Sequence, residues 1–393
     1  MKNQNILTDR KLTVVIVNSD LEYGGAQRQI VELANNLDKE HFKVYVCSLA
    51  DYVPLSESLH EADKKLVIIK KFFKLDVTVV FRLILFLKRV RADVVHSYLF
   101  DSQIICRLAG FFLPKLVVIG SERNTDYLFK KRHLIAYRIT KSLVDLTIAN
   151  SNAGARFNSS KLGHPMSHYR VVHNGVDTER FRPVAVSSAV REKVPVYGKR
   201  QIVGMFASFK PQKNHLFLID SIPEIIKSVP DVCFLFVGDE LYKGMSGSVE
   251  YKEAILEEIK RRNIEEYCIF AGNQQQTEEW YNLCNITVLP SLFEGTPNVV
   301  LESMACGVPV VATDVSDNSL IIRDGKTGFI TARGNKSLFI KSVIELLTNS
   351  ALLDNMRVQA RQWICSEFSN TRLAEKTGAI YREVFFKKTG IQV

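Results

Sequence analysis

Residues 286–312 read ITVLPSLFEGTPNVVLESMACGVPVVA. Ile286–Leu289 is a short apolar run stopped by Pro290, which predicts a buried strand. A loop containing Gly295 and Pro297 follows, and Asn298 is well suited to cap a helix over Val299–Cys306. After Gly307 a second apolar run, Val308–Ala312, predicts another strand. Strand, helix and strand in this order, with strands apolar on both sides, make the unit of a parallel sheet covered by helices on both faces.

The same alternation extends outward. Upstream in the second half, Ile202–Ala207, Cys233–Val237 and Cys268–Phe270 read as strands. In the first half Leu12–Asn18 is a strand followed by a helix over Ala26–Leu37. Val44–Leu49, Val67–Ile69, Val94–His96, Val117–Gly120, Leu146–Asn150 and Val171–His173 continue the series. Arg182–Arg200, RPVAVSSAVREKVPVYGKR, breaks the pattern with prolines, serines and a glycine, and reads as a linker. The expectation is an α/β chain of two doubly wound domains, 1–190 and 196–369, with a deep cleft between them. The basic helical segment at about 370–393 is expected to pack back on the first domain. Ligands of such sheets bind beyond the carboxyl ends of the strands, so the cleft is the expected site.

Composition narrows the class. The 393 residues are 46% apolar and 24% charged, which suits a folded globular protein and excludes collagen, a disordered chain and a small disulfide scaffold. Seven cysteines, an odd number without a C-x-x-C pair, read as free thiols in a reducing compartment and argue against a structural zinc site. The leading MKNQNILTDRK has no apolar stretch of the signal-peptide kind, and no apolar run is long enough to span a bilayer. The expected address is the cytoplasm.

The net charge of +10 is uneven: residues 1–190 hold 28 basic and 18 acidic side chains, and the remainder is neutral. Within 64–141 there are 17 basic and 5 acidic residues. Basic residues alternate there with apolar clusters: Lys70–Lys74, Phe81–Arg91, Phe111–Lys115 and Leu128–Lys141. A surface of this kind suits an anionic membrane, through Coulomb attraction and burial of rings among headgroups. The plainer alternative is a set of solvated basic helix faces. No zinc-finger or RNA-binding signature supports a nucleic-acid partner.

Several site motifs are missing. No two glycines are spaced i, i+2, so G-x-G-x-x-G is absent; Gly325-Lys326-Thr327 lacks the first P-loop glycine, Leu320 standing there; and no D-x-D occurs. What remains is a set of loops after strands. Gly24 and Gly25 follow the first strand and open a helix, where backbone can approach an anion. Lys213, in Lys210-Pro211-Gln212-Lys213-Asn214, stands before a helix, placed either as a point charge for a phosphate or as an ordinary solvent-facing lysine. Glu294 lies on a loop and Glu302 in the following helix; eight residues apart, they suit two hydroxyls along one polyhydroxylated ligand better than an acid/base pair. Asn174-Gly175-Val176-Asp177 reads as a structural turn closing the first domain.

Together these stretches resemble glycosyltransferase family 4. SLFEGTPNVVLESMACGVPVVAT resembles the family's nucleotide-sugar signature, with Glu294 and Glu302 at its E-x7-E spacing. Tyr23–Arg28, Ile148–Asn152, Val171–Asp177, Gln212-Lys213-Asn214, Val237-Gly238-Asp239 and Asp324–Gly328 are similar to further family segments over most of the chain. The resemblance implies the GT-B fold and a retaining, metal-independent transferase without a cofactor. Its donor would be a UDP- or GDP-linked sugar. In that frame Lys213 and Glu294 are the catalytic pair, Lys213 stabilising the departing diphosphate. Glu302 holds the ribose. Glu294 and the backbone of Gly295, Thr296, Asn298 and Val299 hold the sugar and distal phosphate, with Gly24 and Gly25 approaching that phosphate.

Three positions depart from the family pattern: Ser208 replaces an arginine, with Lys210 as a candidate second cation; Ser121-Glu122-Arg123-Asn124 lacks a histidine; and Val315-Ser316-Asp317 replaces a glycine pair. Arg123 and His96, the latter at the end of a strand, are the candidate acceptor contacts. The acceptor expected from the basic, aromatic first half is a lipid-linked glycan at the inner membrane leaflet, in surface-polysaccharide assembly. The alternatives are a nucleotide-sugar epimerase or hydrolase of the same fold, or a non-catalytic sugar-nucleotide-binding module.

Overall fold

The structure is a computed structural model that describes residues 10–73, 76–123, 131–194, 200–240 and 247–393. Residues 1–9, Lys74, Asn124, 128–130 in the basic cluster and 195–199 in the expected linker lie outside the described residues.

The chain divides into two compact units, Met1–Gly175 with Asn370–Val393, and Val176–Ser369. The first is built on seven parallel strands: β1 (Leu12–Asn18), β2 (Phe42–Ser48), β3 (Leu66–Ile68), β4 (Val94–Ser97), β5 (Val117–Glu122), β6 (Leu146–Ala149) and β7 (Tyr169–Val171). Their order is β3-β2-β1-β4-β5-β6-β7, so the chain reverses its direction of travel between β1 and β4. All seven residues of β1 are buried. Leu12, Val14 and Ile16 enter one core cluster and Val15 and Val17 another, because successive side chains of a strand point to opposite faces. A strand apolar on both faces has no solvent side, which is why these runs read as continuous rather than alternating.

The second unit repeats the scheme with β8 (Gln201–Phe206), β9 (Val232–Val237), β10 (Cys268–Gly272), β11 (Ile286–Leu289), β12 (Val310–Thr313) and β13 (Gly328–Thr331), in the order β10-β9-β8-β11-β12-β13. Ile202 and Phe206 face one core cluster, Val203 and Met205 the other. The quoted stretch is here the β11–helix–β12 unit, with the helix over Asn298–Ala305. Pro297 stands at its cap and makes no side-chain cap bond, so Asn298 is the first helical residue rather than the cap. Sequence reasoning missed β13, a four-residue edge strand reached through the Asp324–Thr327 turn.

The passage between the units falls earlier than the composition indicated. Val186 and Val194, inside the expected linker, are buried in the core of the second unit together with Val176 and Phe181. The chain enters that unit at Val176 and leaves it at Ser369, paired there by a bridge and by a hydrogen bond from Val176 N to Phe368 O of 2.9 Å. The closing turn at Gly175 is structural, for a reason other than a positive φ. A Cβ built there would meet Asn370 Oδ1 at 2.6 Å and Leu373 Cβ at 3.0 Å, so the glycine serves a close approach. The helix Asn370–Thr389 lies in the first unit, where Leu373, Tyr381, Val384 and Phe385 share a core cluster with Val14 and Ile16.

Candidate active site

In the second unit the sheet reverses between β8 and β11, and the loops that leave these two neighbouring strands carry Ser208, Lys210, Lys213 and Glu294. A sheet of this kind binds ligands at that reversal. The loop after β8 ends in a tight turn, Pro211–Lys213, and Asn214 takes a left-handed conformation (φ 57°) before the helix His215–Ser228. That turn aims Lys213 across to the loop after β11. The two loops are laced together: Leu292 N donates to Gln212 O at 2.8 Å, Gln212 Nε2 to Phe293 O at 2.7 Å, and Asn214 Nδ2 to Pro290 O at 3.2 Å.

At their centre Lys213 Nζ donates to Glu294 Oε1 at 2.6 Å, and Ser291 Oγ donates to the same oxygen at 2.7 Å. Both side chains are largely enclosed, 17% and 8% exposed. Thr313 Oγ1 donates to Ser291 O at 2.6 Å, and Ser316 Oγ donates to the carbonyl of Glu294. Ser316 therefore secures the carboxylate loop from the neighbouring strand end. Lys210 belongs to the same cluster. Burial lowers its pKa, the adjacent Lys213 charge lowers it further, and Glu294 opposes both. Lys213 is thus paired directly with the carboxylate, and Lys210 lies within its electrostatic reach.

Glu302 lies in the helix Asn298–Ala305 and is buried. Its Oε2 accepts a 2.8 Å hydrogen bond from Tyr281 OH, and the Tyr281 ring stacks on Phe206 at 3.8 Å. Among the other expected donor contacts, Thr296 is buried, and Gly295, Asn298 and Val299 are half-buried around the start of that helix. Gly238, at φ 134°, lies against the β8 loop: a Cβ built on it would meet Ala207 O at 2.2 Å. Only glycine lets that loop sit where Ser208 and Lys210 are held. The Asp324–Thr327 turn closes on itself, Arg323 N donating to Thr327 Oγ1 at 2.9 Å, and serves β13.

In the first unit Gly24 precedes the helix Gly25–Asn36, whose start has no side-chain cap and no acidic residue in its first turn. Gly24 is extended, and a Cβ on it would meet the side-chain amide of Gln27, which is itself bonded to Asp20 Oδ1 at 2.7 Å. His96 is a core residue. It is 1% exposed, with Nδ1 2.7 Å from Tyr381 OH and Nε2 3.2 Å from Ser121 Oγ, and burial pulls its pKa down to about 3. The ring is spent on joining the returning C-terminal helix to the sheet, so its expected acceptor contact gives way to a structural role.

Arg123 donates to Asn174 Oδ1 at 2.9 Å and lies over the Tyr98 ring at 5.2 Å. It also lines a cavity of about 480 Å³ beside the carboxyl ends of β4 and β5, with Ser19, Leu99, Asp101, Glu122 and His133. Leu99, at φ 63° and ψ 164°, holds a strained positive-φ conformation at the cavity rim. Burial raises the Glu122 pKa to about 7 against the charge of Arg107 and a hydrogen bond from Gln103. Sequence reasoning quoted Glu122 only as a departure from the family pattern and missed Ser19, Asp101 and His133.

Among the described residues no group of three or more His, Cys, Asp or Glu side chains is placed to hold a metal ion. None of their helices is long and apolar enough to cross a membrane.

The fold has counterparts among known proteins. Residues 23–180 match the family model Glycosyltransferase Family 4, and residues 200–349 match Glycosyl transferases group 1. The chain belongs to the family-4 glycosyltransferases and is a transferase with the GT-B fold. It is 22% identical to the UDP-Gal:alpha-D-GlcNAc-diphosphoundecaprenol alpha-1,3-galactosyltransferase of Escherichia coli, over 77% of this chain and 78% of that one. It is 23% identical to the lipopolysaccharide core biosynthesis mannosyltransferase LpsB of Rhizobium meliloti, over 54% of this chain and 60%, under two thirds, of that one. Anabaena Alr3699/HepE, solved in complex with UDP, superposes with a TM-score of 0.81 at 18% identity, covering 94% of this chain and 99% of that one.

Proposed function

We propose that the chain moves a hexosyl or N-acetylhexosaminyl group from a UDP- or GDP-sugar to a hydroxyl of a lipid-linked glycan, with retention of anomeric configuration and without a metal. The setting is surface-polysaccharide assembly on the cytoplasmic face of the membrane. The observation that carries the reading is the cluster of Lys210, Lys213 and Glu294 on the loops of β8 and β11, with Glu302 on the next helix. When the bond between sugar and diphosphate breaks, negative charge develops on the leaving phosphate, and fixed cations and backbone N–H groups lower that barrier. An ammonium has three donors, so Lys213 keeps one on Glu294 and turns the others to phosphate. Glu294 thus holds the catalytic cation in place before substrate arrives. Glu302, oriented by Tyr281, accepts from the ribose hydroxyls.

The names of relatives support the substrate classes: UDP-galactose and a diphosphoundecaprenol-linked sugar for the Escherichia coli enzyme, UDP for the Anabaena structure. The basic balance of residues 64–141 supports the membrane setting. The test is transfer by the purified chain from UDP- and GDP-sugars to a detergent-dissolved polyprenyl-diphosphate sugar in EDTA, with the product's anomeric coupling read by NMR. A product that keeps the donor's configuration supports the reading. Inversion, a requirement for added magnesium, or release of free sugar alone would contradict it.

A further inference from the structure

The helix Thr78–Val90 sends Val79, Val80, Leu83, Ile84, Phe86 and Leu87 into the core. On its other side Val77, Phe81 and Leu85, four residues apart, are 69%, 60% and 68% exposed. The stripe does not end at that helix. The Phe81 ring is 6.4 Å from Phe112, which is 5.2 Å from Phe111, at the end of the helix Phe100–Phe111. Phe111 and Phe112 are 65% and 54% exposed. Scattered exposed apolar residues are ordinary; a joined patch of rings on two elements is not.

Basic groups border the patch. Lys88, Arg91 and Lys115 line a cavity of about 670 Å³ near the ends of the same two segments. Arg10 and Lys388, which also line it, are paired with Asp93 and Asp145. Lys88, Arg91 and Lys115 have no carboxylate at ion-pair distance among the described residues. The cavity therefore keeps an uncompensated positive charge beside an apolar face.

We propose that this face seats the chain on an anionic phospholipid bilayer, with Phe81, Leu85, Phe111 and Phe112 entering the headgroup layer and Lys88, Arg91 and Lys115 gripping lipid phosphates. The assignment rests on the membrane setting proposed above and gives it a place on the molecule. Burial of rings and Coulomb attraction are each weak alone; side by side they make a two-signal anchor. A second copy is a poorer occupant, because a two-fold contact through this patch would bring the same cations face to face.

The test is flotation of the full chain with vesicles of phosphatidylcholine alone or with phosphatidylglycerol, beside transfer to a water-soluble acceptor. The wild type should float only with anionic vesicles. F81S/F111S/F112S should lose at least about tenfold in vesicle affinity, and K88Q/K115Q about fivefold per charge, with the latter loss disappearing in high salt. Both variants should keep wild-type circular dichroism and wild-type transfer to the soluble acceptor. Leu85→Trp should show a blue-shifted emission on adding anionic vesicles. Undiminished flotation of the aromatic variant, absence of flotation by the wild type, or a dimer in sedimentation that the aromatic variant dissolves would each overturn the proposal. Failure of transfer to every acceptor would instead strike the proposed reaction, leaving the flotation result to stand by itself.

Discussion

Removing Lys213 should separate what the Lys213–Glu294 pair does for the fold from what it does for the reaction. Glu294 is 8% exposed on its side chain, and the lysine supplies its 2.6 Å counter-charge. In Lys213→Met the carboxylate loses its nearest counter-charge and keeps the Ser291 hydroxyl and the more distant Lys210 charge against the cost of burial. Breaking one side of a buried pair costs about 3–5 kcal/mol, and the Ser291 bond brings the expectation to about 3 kcal/mol. Glu294→Gln should cost less, about 1 kcal/mol, because the amide keeps a polar partner and Lys213, 17% exposed, reaches water. The double variant, with both members of the buried pair neutralised, should return to within about 1 kcal/mol of wild type. Activity should behave otherwise. The cation proposed to face the departing phosphate is gone in both Lys213 variants, so kcat should fall by about 10²–10³-fold in each. Urea unfolding monitored on the second unit gives the stabilities, and turnover at saturating donor gives the rates. If the double variant regained both stability and turnover, Lys213 would be a packing residue and the reasoning would be refuted.

Three further outcomes follow from the same structure. Tyr281→Phe removes the hydrogen bond that orients Glu302, so affinity for the nucleoside diphosphate should drop about five- to tenfold by calorimetry, with kcat little changed. Gly238→Ala sets a Cβ 2.2 Å from Ala207 O at a φ of 134°, and thermal unfolding should report a loss of about 3 kcal/mol or more together with weaker donor binding. Glu122 has its pKa raised from 4.5 to about 7 by burial, so the folded chain keeps a proton that the unfolded chain has released. Its effect on stability is absent below about pH 4.5, grows unfavourable as pH rises to 7, and stays so above. Glu122→Gln should therefore gain about 1–3 kcal/mol at pH 8 and almost nothing at pH 4, read from denaturant midpoints.

Much of this was legible because strands buried on both faces announce themselves as unbroken apolar runs. β1, β9 and β11 were found in this way, and with them the sheet class and the positions of the loops that carry Lys213 and Glu294. The four-residue β13 was not, since its two inner residues are only half-buried and its start is hidden in a glycine turn. Composition reads 182–200 as a tether, yet whether such a stretch is a tether or a part of a core depends on distant partners, and Val186 and Val194 find theirs in the second unit. The same limit explains His96. Its position at a strand end was read correctly, but the Tyr381 that encloses it comes from the far end of the chain. Ser316 was noted only as a departure from a glycine pair; its grip on the Glu294 carbonyl depends on β12 lying beside β11, which spacing does not encode. Tyr281 and Glu302 meet for the same kind of reason, through the packing of two short helices.

The most direct test of the central claim is titration calorimetry of the chain with UDP and GDP in EDTA, for the wild type and for Glu302→Ala. The account predicts that one nucleoside diphosphate binds without metal and that the substitution weakens it at least about tenfold, the loss of hydrogen bonds to a charged group. Binding that needed magnesium, or that persisted unchanged in Glu302→Ala, would contradict it.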